Sequence, residues 1–314
     1  MSSSATTSPV SLVDMPELPL KHILSYVGFR SLQSLRLVSK PLCQFIDTKK
    51  LHVQIDYIKI KTYQRGVELK LKSCGLVSHL EMKMQGEGTN VSFGDKSRYY
   101  GNTDYLGFSV NLLKYVFNTY TVHTQKRLEY SGGEDSTFLE MFQTFLSEQR
   151  IILRVFELSF RGFEQQAVRF LPFFDSNTLK SLIFNWIFID ELNFDLMLLE
   201  QWKKARFLFS DQKIFRVPIQ HFGHFETANF YMQNITAQDL LHLKEKYTQS
   251  PVFSIANIYC ERSVSPDQVY GESEENEWIF RCSDPNYALI IDYFYGYYRY
   301  CRTHISDTTL SAFE

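Results

Sequence analysis

Residues 15–47 read MPELPLKHILSYVGFRSLQSLRLVSKPLCQFID, and this stretch constrains the fold more than any other part of the chain. Leu18-Pro19 opens it, and Leu20, Ile23, Leu24 and Val27 follow at the i, i+3, i+4, i+7 spacing of one helical face. A turn is expected around Gly28-Phe29-Arg30, after which Ser31 can cap a second helix carrying Leu32, Leu35 and Val38. Pro41 cannot continue that helix but can open a third, holding Leu42, Phe45 and Ile46. Isolated helices below roughly 12–15 residues are marginal in water. A unit below roughly 40 residues, without disulfide or metal, does not build a sufficient core. The apolar faces of these helices must therefore find a partner, on the same chain or on another.

The ordered identities Leu18-Pro19, Ile23-Leu24 and Leu32-x-x-Leu35-Arg36-x-Val38-Ser39-Lys40 resemble the F-box. Many F-boxes carry a Trp just after the Val-Ser-Lys stretch; here the nearest aromatic is Phe45. The resemblance implies a docking role. An F-box binds a Skp-type adaptor, the adaptor binds a cullin, and the rest of the chain holds a target protein for ubiquitin transfer. Leu18, Pro19, Ile23, Leu24, Leu32, Leu35 and Val38 are the residues expected to lead the adaptor contact, with some of them also holding the helices together.

Composition narrows the alternatives. The length of 314 residues suggests two domains or one elongated one. Hydrophobic residues at 44% and aromatics at 16% support a substantial core and exclude wholesale disorder, and 27 Phe with 19 Tyr point to aromatic-rich packing. A net charge of −2 leaves no global basic field for nucleic acid or anionic lipid. Within residues 14–50, Lys21, Arg30, Arg36, Lys40, Lys49 and Lys50 outnumber Asp14, Glu17 and Asp47, a local excess suited to an acidic partner surface. The five cysteines, Cys43, Cys74, Cys260, Cys282 and Cys301, are scattered without a CxxC, which fits neither a disulfide framework nor a zinc-finger spacing and suits a reducing compartment. Residues 1–13 read as a disordered tail rather than a secretory signal. The most apolar runs, 179–189 and 287–298, are broken by Asn185 and Asp292, so no membrane-spanning helix is expected and the cytosol or nucleus follows.

From residue 53 the rhythm changes to period two. Val67, Leu69 and Leu71 alternate with Glu68, Lys70 and Lys72, and Leu80, Met82 and Met84 repeat the pattern. Residues 53–60 read as a strand with a bulge or bend near Asp56. Residues 85–105, rich in Gly, Asn, Ser and Asp, read as an irregular excursion. A helix over 136–149 carries Phe138, Leu139, Phe142, Phe145 and Leu146 on one face. Strands are then expected to begin near 153, 179, 205, 226 and 252, with helices at 163–171, 194–203 and 236–247 between them. Strand–helix units of this length are the pattern of leucine-rich-repeat-like solenoids, in which each unit buries its face on the next. The expected class is α/β: an N-terminal three-helix F-box over 14–50, a strand-rich part over 51–135, and a strand–helix repeat region over 136–314 forming a curved, mainly parallel sheet. A doubly wound α/β sheet is the competing topology, and the strict LxxLxLxxN repeat is absent.

Residues 200–253 carry a second resemblance. Glu200-Gln201-Trp202-Lys203-Lys204-Ala205, His224-Phe225, Thr236-Ala237-Gln238-Asp239-Leu240-Leu241 and Ser250-Pro251-Val252-Phe253 are similar to the FTH domain, which commonly follows an F-box. That resemblance extends more weakly back to about 136, and it implies partner recognition without catalysis.

Other motifs carry less. His221 and His224 stand at i, i+3 with Glu226 as the one close further ligand, a pattern better read as structural than as a metal site. Gly86-Glu87-Gly88 lacks the Lys-Ser/Thr of a phosphate loop, and no G-x-S-x-G occurs. Trp186 and Trp202 sit in apolar surroundings and read as core, and the acidic run from Glu272 to Glu277 as a solvated loop. No catalytic residue, cofactor or metal is expected. The leading reading is a substrate-recognition subunit of a Skp–cullin–F-box ubiquitin ligase, with no nucleic acid or membrane among its partners. The alternative is a protein-binding scaffold that uses the F-box only to associate with the adaptor, and an enzyme carried on the α/β region is the third reading.

Overall fold

Pro16 and Pro19 stand at the start of the first helix, α1 (Glu17–Ser25), where backbone N–H groups have no intrahelical partner to lose. The second helix, α2 (Phe29–Val38), begins earlier than its hydroxyl signal suggests: Gly28 is the N-cap, and Ser31 falls in the first turn. In α3 (Lys40–Thr48), Ser39 caps by accepting the Leu42 N–H, with Pro41 in the first turn as expected. A computed structural model describes residues 12–49, 51–123, 125–133, 137–186, 195–214 and 217–305. The chain divides into two units, Met1–Leu128 with Glu140–Phe145, and Glu129–Leu139 with Leu146–Glu314.

In the first unit, the strand read over 53–60 is broken in two. β1 (Leu51–Gln54) ends before Ile55, and β2 (Tyr57–Tyr63) starts after Asp56, whose N–H donates to the Lys72 carbonyl at 2.8 Å. Both Ile55 and Ile58 are buried, so the break absorbs the slip in apolar phase. β2 continues into an antiparallel meander with β3 (Gly66–Ser73), β4 (Leu76–Gln85), β5 (Gly88–Phe93) and β6 (Lys96–Tyr100), in chain order. The irregular excursion expected over 85–105 is instead mostly β5 and β6. Two of its glycines make the turns: Gly86 and Gly94, at φ of 58° and 57°, reverse the chain tightly enough for Gln85 to pair with Gly88 and Phe93 with Lys96.

Asp104 then caps α4 (Tyr105–Thr119) by accepting the N–H groups of Leu106 and Gly107. This helix packs on β3, β4 and β5 and leads into β7 (Tyr120–His123), which lies parallel to β1. The next elements, β8 (Gln125–Ser131) and α5 (Thr137–Glu148), give residues to both units.

The second unit follows the strand–helix rhythm of the sequence. β9 (Val155–Gly162), α6 (Glu164–Phe170), β10 (Ser181–Trp186), α7 (Asp195–Leu198), α8 (Glu200–Lys203), β11 (Phe207–Ile214), β12 (Thr227–Ile235), α9 (Ala237–Gln249) and β13 (Ile255–Ser263) come in that order. β9 to β13 lie parallel and side by side in chain order, with no reversal of the kind that defines a doubly wound sheet. Parallel neighbours require a crossover; α6, α8 and α9 lie in three of the four, packing their aromatics on one face of the sheet, and the short 3-10 turn Ile219–His221 lies in the fourth, between β11 and β12. Phe170 lies 6.3 Å from Phe160, Trp202 stacks 6.5 Å from Phe184, and Tyr247 meets Tyr300 edge-on at 5.4 Å.

Beyond α10 (Asp267–Tyr270), the expectation of a repeat running to the end of the chain fails. β14 (Glu277–Arg281), β15 (Tyr287–Phe294) and β16 (Tyr297–His304) form an antiparallel extension, β16 pairing with β13 and β15 with both β16 and β14. Tight turns join β14 to β15 and β15 to β16, which antiparallel neighbours permit and parallel ones do not. The sheet of this unit is therefore parallel over β9 to β13, as expected, and antiparallel beyond.

Candidate docking site

The helix α1 has two apolar sides. Leu20 and Leu24, one turn apart, are buried in the protein. Leu18, Pro19, Ile23 and Tyr26 occupy an opposing sector of roughly 140°, and all four are exposed. His22 shares the sector, its ring edge-on to Tyr26 at 5.1 Å. At the far end of α2 two further apolar residues point outward. Exposure reaches 88% at Leu37, 78% at Leu18, 75% at Val38 and 72% at Tyr26. Solvated side chains of this size, clustered in one segment, mark an interaction surface more often than isolated surface leucines do.

The residues singled out in the sequence thus separate into two groups. Leu18, Pro19, Ile23 and Val38 are available to a partner; Leu24 and Leu32 are fully buried in their own chain, and Leu35 is half-buried. Tyr26 and Leu37 belong to the outward group without having been singled out. Leu37-Val38 carried a readable signal: adjacent helical residues are about 100° apart, so both cannot join the face made by Phe29 and Leu32.

The helices are held by polar ties. Arg36 Nε and Nη2 donate to the two Asp47 carboxylate oxygens at 2.8 and 2.9 Å, Nη1 donates to Gln33 at 3.0 Å, and the guanidinium lies 5.0 Å from the Tyr115 ring centre. The Arg36 bonds hold the Asp47 carboxyl below the usual carboxylate range against a smaller opposing effect of burial, and Asp47 raises the Arg36 guanidinium in turn. Lys49 Nζ to Glu17 Oε2, 2.8 Å, joins the end of α3 to the start of α1. Both pairs are substantially exposed, so they orient the helices more than they stabilise them. The seat below is the β3–β4 turn. The Phe29 N–H donates to Ser73 Oγ at 3.1 Å, and that hydroxyl donates to the Gln54 carbonyl at 2.7 Å. A Cβ on Gly28 would stand 3.1 Å from Cys74 Cβ and 3.2 Å from the Ser73 carbonyl, so a bare backbone lets α2 approach this closely.

In the second unit the motif residues are structural. Trp202 is buried, donates its indole N–H to the His221 carbonyl at 3.1 Å, and meets Phe222 and Phe225 edge-on. A ring nitrogen of His224 lies 3.0 Å from the Trp202 carbonyl, and burial lowers the pKa of this imidazole. Glu226 is paired with Arg206 rather than with the histidines. Thr236 and Asp239 form a reciprocal capping box at the start of α9, with bonds of 3.0 and 3.2 Å. The Trp186 side chain lies outside the described residues. Among the described residues no group of three or more His, Cys, Asp or Glu is placed to hold a metal ion, and no helix is long and apolar enough to cross a membrane.

Residues 12–54 match the F-box domain family and residues 136–271 the FTH domain family. The chain is 24% identical over 267 residues to F-box A protein 224 of Caenorhabditis elegans, an alignment covering 82% of this chain and 68% of that one. No solved structure matches. The outward-facing helical segment lies within the one match and the Trp202 core with the Thr236 cap within the other: the chain carries an F-box domain followed by an FTH domain.

Proposed function

We propose that this chain is the substrate-recognition subunit of a Skp–cullin–F-box ubiquitin ligase. F-box domains bind Skp-type adaptors, and the observation that carries the reading is the exposed apolar sector of α1, with Leu37 and Val38, inside a segment matching that family. Burying each large apolar side chain on an adaptor contributes about 1.5–3 kcal/mol before the costs of association. The ligase then works by tethering: a target held on the second unit stays at high effective concentration near the ubiquitin-loaded enzyme. This chain performs no chemistry of its own in that scheme. The succession β9 to β13, with α6, α8 and α9 packed on one face, supports a repeat-like recognition region of leucine-rich-repeat type. Cysteines without a disulfide pattern support residence in the cytosol or nucleus.

The test is the pair Leu18→Glu and Ile23→Glu, both at exposed positions. Co-purification of the Skp-type adaptor is expected to be lost while circular dichroism and the thermal midpoint stay unchanged. Adaptor binding at the unmodified level would show that this sector is not the docking face. In the intact complex, recovery of a cullin and transfer of ubiquitin to a bound protein are expected. Adaptor association without either would favour a non-degradative scaffold.

A further inference from the structure

The side of the second unit's sheet opposite its packed helices carries an ordered set of polar and aromatic groups. Asn229, Asn257 and Arg299 stand in register across β12, β13 and β16, and one step on so do Tyr231, Tyr259 and Tyr297. The Tyr231 and Tyr259 rings stack at 4.5 Å and 17°, and Tyr259 and Tyr297 lie 4.9 Å apart. Tyr297 is anchored by donating its hydroxyl to Asn257 Oδ1 at 2.7 Å. All of these residues are half-buried except Arg299, which is exposed.

At the β11 end of this ladder the strands part. β10 and β11 stay paired only as far as Phe184 and Ser210, and β11 then bulges, since Phe209 pairs with Asn229 but the next pair is Lys213 with Tyr231. Such bulges re-aim side chains and recur beside functional sites. Here the bulge carries Asp211 and opens a hollow of about 200 Å³ lined by Ile183, Asn185, Phe209, Asp211, Tyr231 and Tyr259, among others. Among the described residues of the lining, Asp211 is the one acid or base apart from the phenols. Burial pushes its carboxyl up, with Arg161 on β9 acting in the opposite sense.

We propose that this hollow seats one basic side chain, a lysine or arginine, of the target protein, between the aromatic rings and the Asp211 carboxylate. The inference rests on the recognition role proposed above. The space is smaller than the roughly 300–1,000 Å³ of small-molecule pockets, which favours a single protruding side chain over a free ligand. Ring faces attract a cation, the carboxylate adds opposite charge, and the Asn185 and Asn229 amides supply acceptors. The same carboxylate repels acidic side chains. The tyrosine ladder alongside gives the flanking target segment a stiff aromatic surface whose ordering costs little entropy.

The test uses the full chain bound to its adaptor, applied to an array of random dodecapeptides. Bound peptides are expected to share a Lys or Arg at one position. Replacing it with norleucine should weaken binding about tenfold, the scale of a partly desolvated cation–π contact. Asp211→Asn, at an exposed position, should remove that preference, and Tyr231→Ala should weaken lysine and norleucine peptides alike. The proposal is overturned if no peptide binds, if norleucine binds as well as lysine, or if Asp211→Asn keeps the preference. Adaptor co-purification is read on the same samples. Its loss would count against the F-box reading, whereas its retention with no lysine or arginine preference would count against this site alone.

Discussion

In α9, Leu240, Leu243 and Tyr247 are all buried against the second unit's own core, while Glu245 and Lys246 take the solvent side with a single leucine, Leu241. In α1, Leu20 and Leu24 are buried in the same way, but the other side presents Leu18, Pro19, Ile23 and Tyr26 rather than charges. One helix buries its apolar stripe and leaves only one leucine, Leu241, outside it. The other has two, and its second remains in water, at a cost no monomer recovers. The contrast separates leucines that hold a fold together from leucines that wait for a partner, and substitution distinguishes the two kinds.

The largest effect belongs to the second unit's core. Trp202→Ala removes a buried ring that packs on Phe184, Phe222 and Phe225 and donates to the His221 carbonyl. It should destabilise by about 3–5 kcal/mol in denaturant unfolding. Adaptor co-purification, carried by the N-terminal helices, is expected to survive in the fraction that stays folded. If the loss is below about 1 kcal/mol, this core is not the continuous one described.

Next come Leu32→Ala and Leu37→Ala, residues in one helix that differ in burial from complete to nearly none. The first should cost about 2–5 kcal/mol. The second should lie within about 0.5 kcal/mol of the parent while weakening the adaptor complex. Equal effects on stability would erase the distinction between inner and outer leucines. For the same reason a charge placed at Leu32 tests folding, not docking, and the outward residues Leu18, Ile23 and Leu37 are the informative ones.

Much of this arrangement is legible in the sequence. The runs near 153, 179, 205, 226 and 252 are short, rich in apolar and aromatic residues and separated by helical stretches, and they form β9 to β13 within a few residues. The N-terminal helices are legible through their spacing and prolines. Strands β5 and β6 escape a reading of the sequence because their polar residues resemble a loop, and pairing to β4, not composition, makes them strands. The helix α4, YLGFSVNLLKYVFNT, escapes it too: its apolar and aromatic residues crowd more than one face. Asp56 is legible as a break, but not that β1 pairs with a strand some seventy residues on. Burial of Leu24 against exposure of Ile23 is not legible, because helical spacing gives a face its neighbours but not its direction. The hollow at Asp211 depends on a register shift between the neighbouring strands β11 and β12, which no periodicity within either strand reports.

The smallest expected effect concerns the polar tie beside the docking sector. Asp47 has its pKa lowered in the folded chain by the Arg36 hydrogen bonds, while the unfolded carboxyl titrates near its ordinary value of about 3.9. The unfolded state therefore takes up a proton first as pH falls. The stabilisation from this pair is complete above about pH 5 and disappears as pH drops through the lowered folded value. Arg36 stays charged throughout, so Asp47 alone sets the window. With side-chain exposures of 24% and 37%, the pair contributes at most about 1 kcal/mol. Asp47→Asn should thus lower stability by less than that at pH 7, and by a smaller amount near pH 2, in parallel denaturant titrations. A deficit unchanged between the two pH values would mean that the introduced amide disturbs packing under Tyr115 and Cys43 rather than removing a charge, and that the α2–α3 pair is held by Leu32, Leu42 and Ile46 alone.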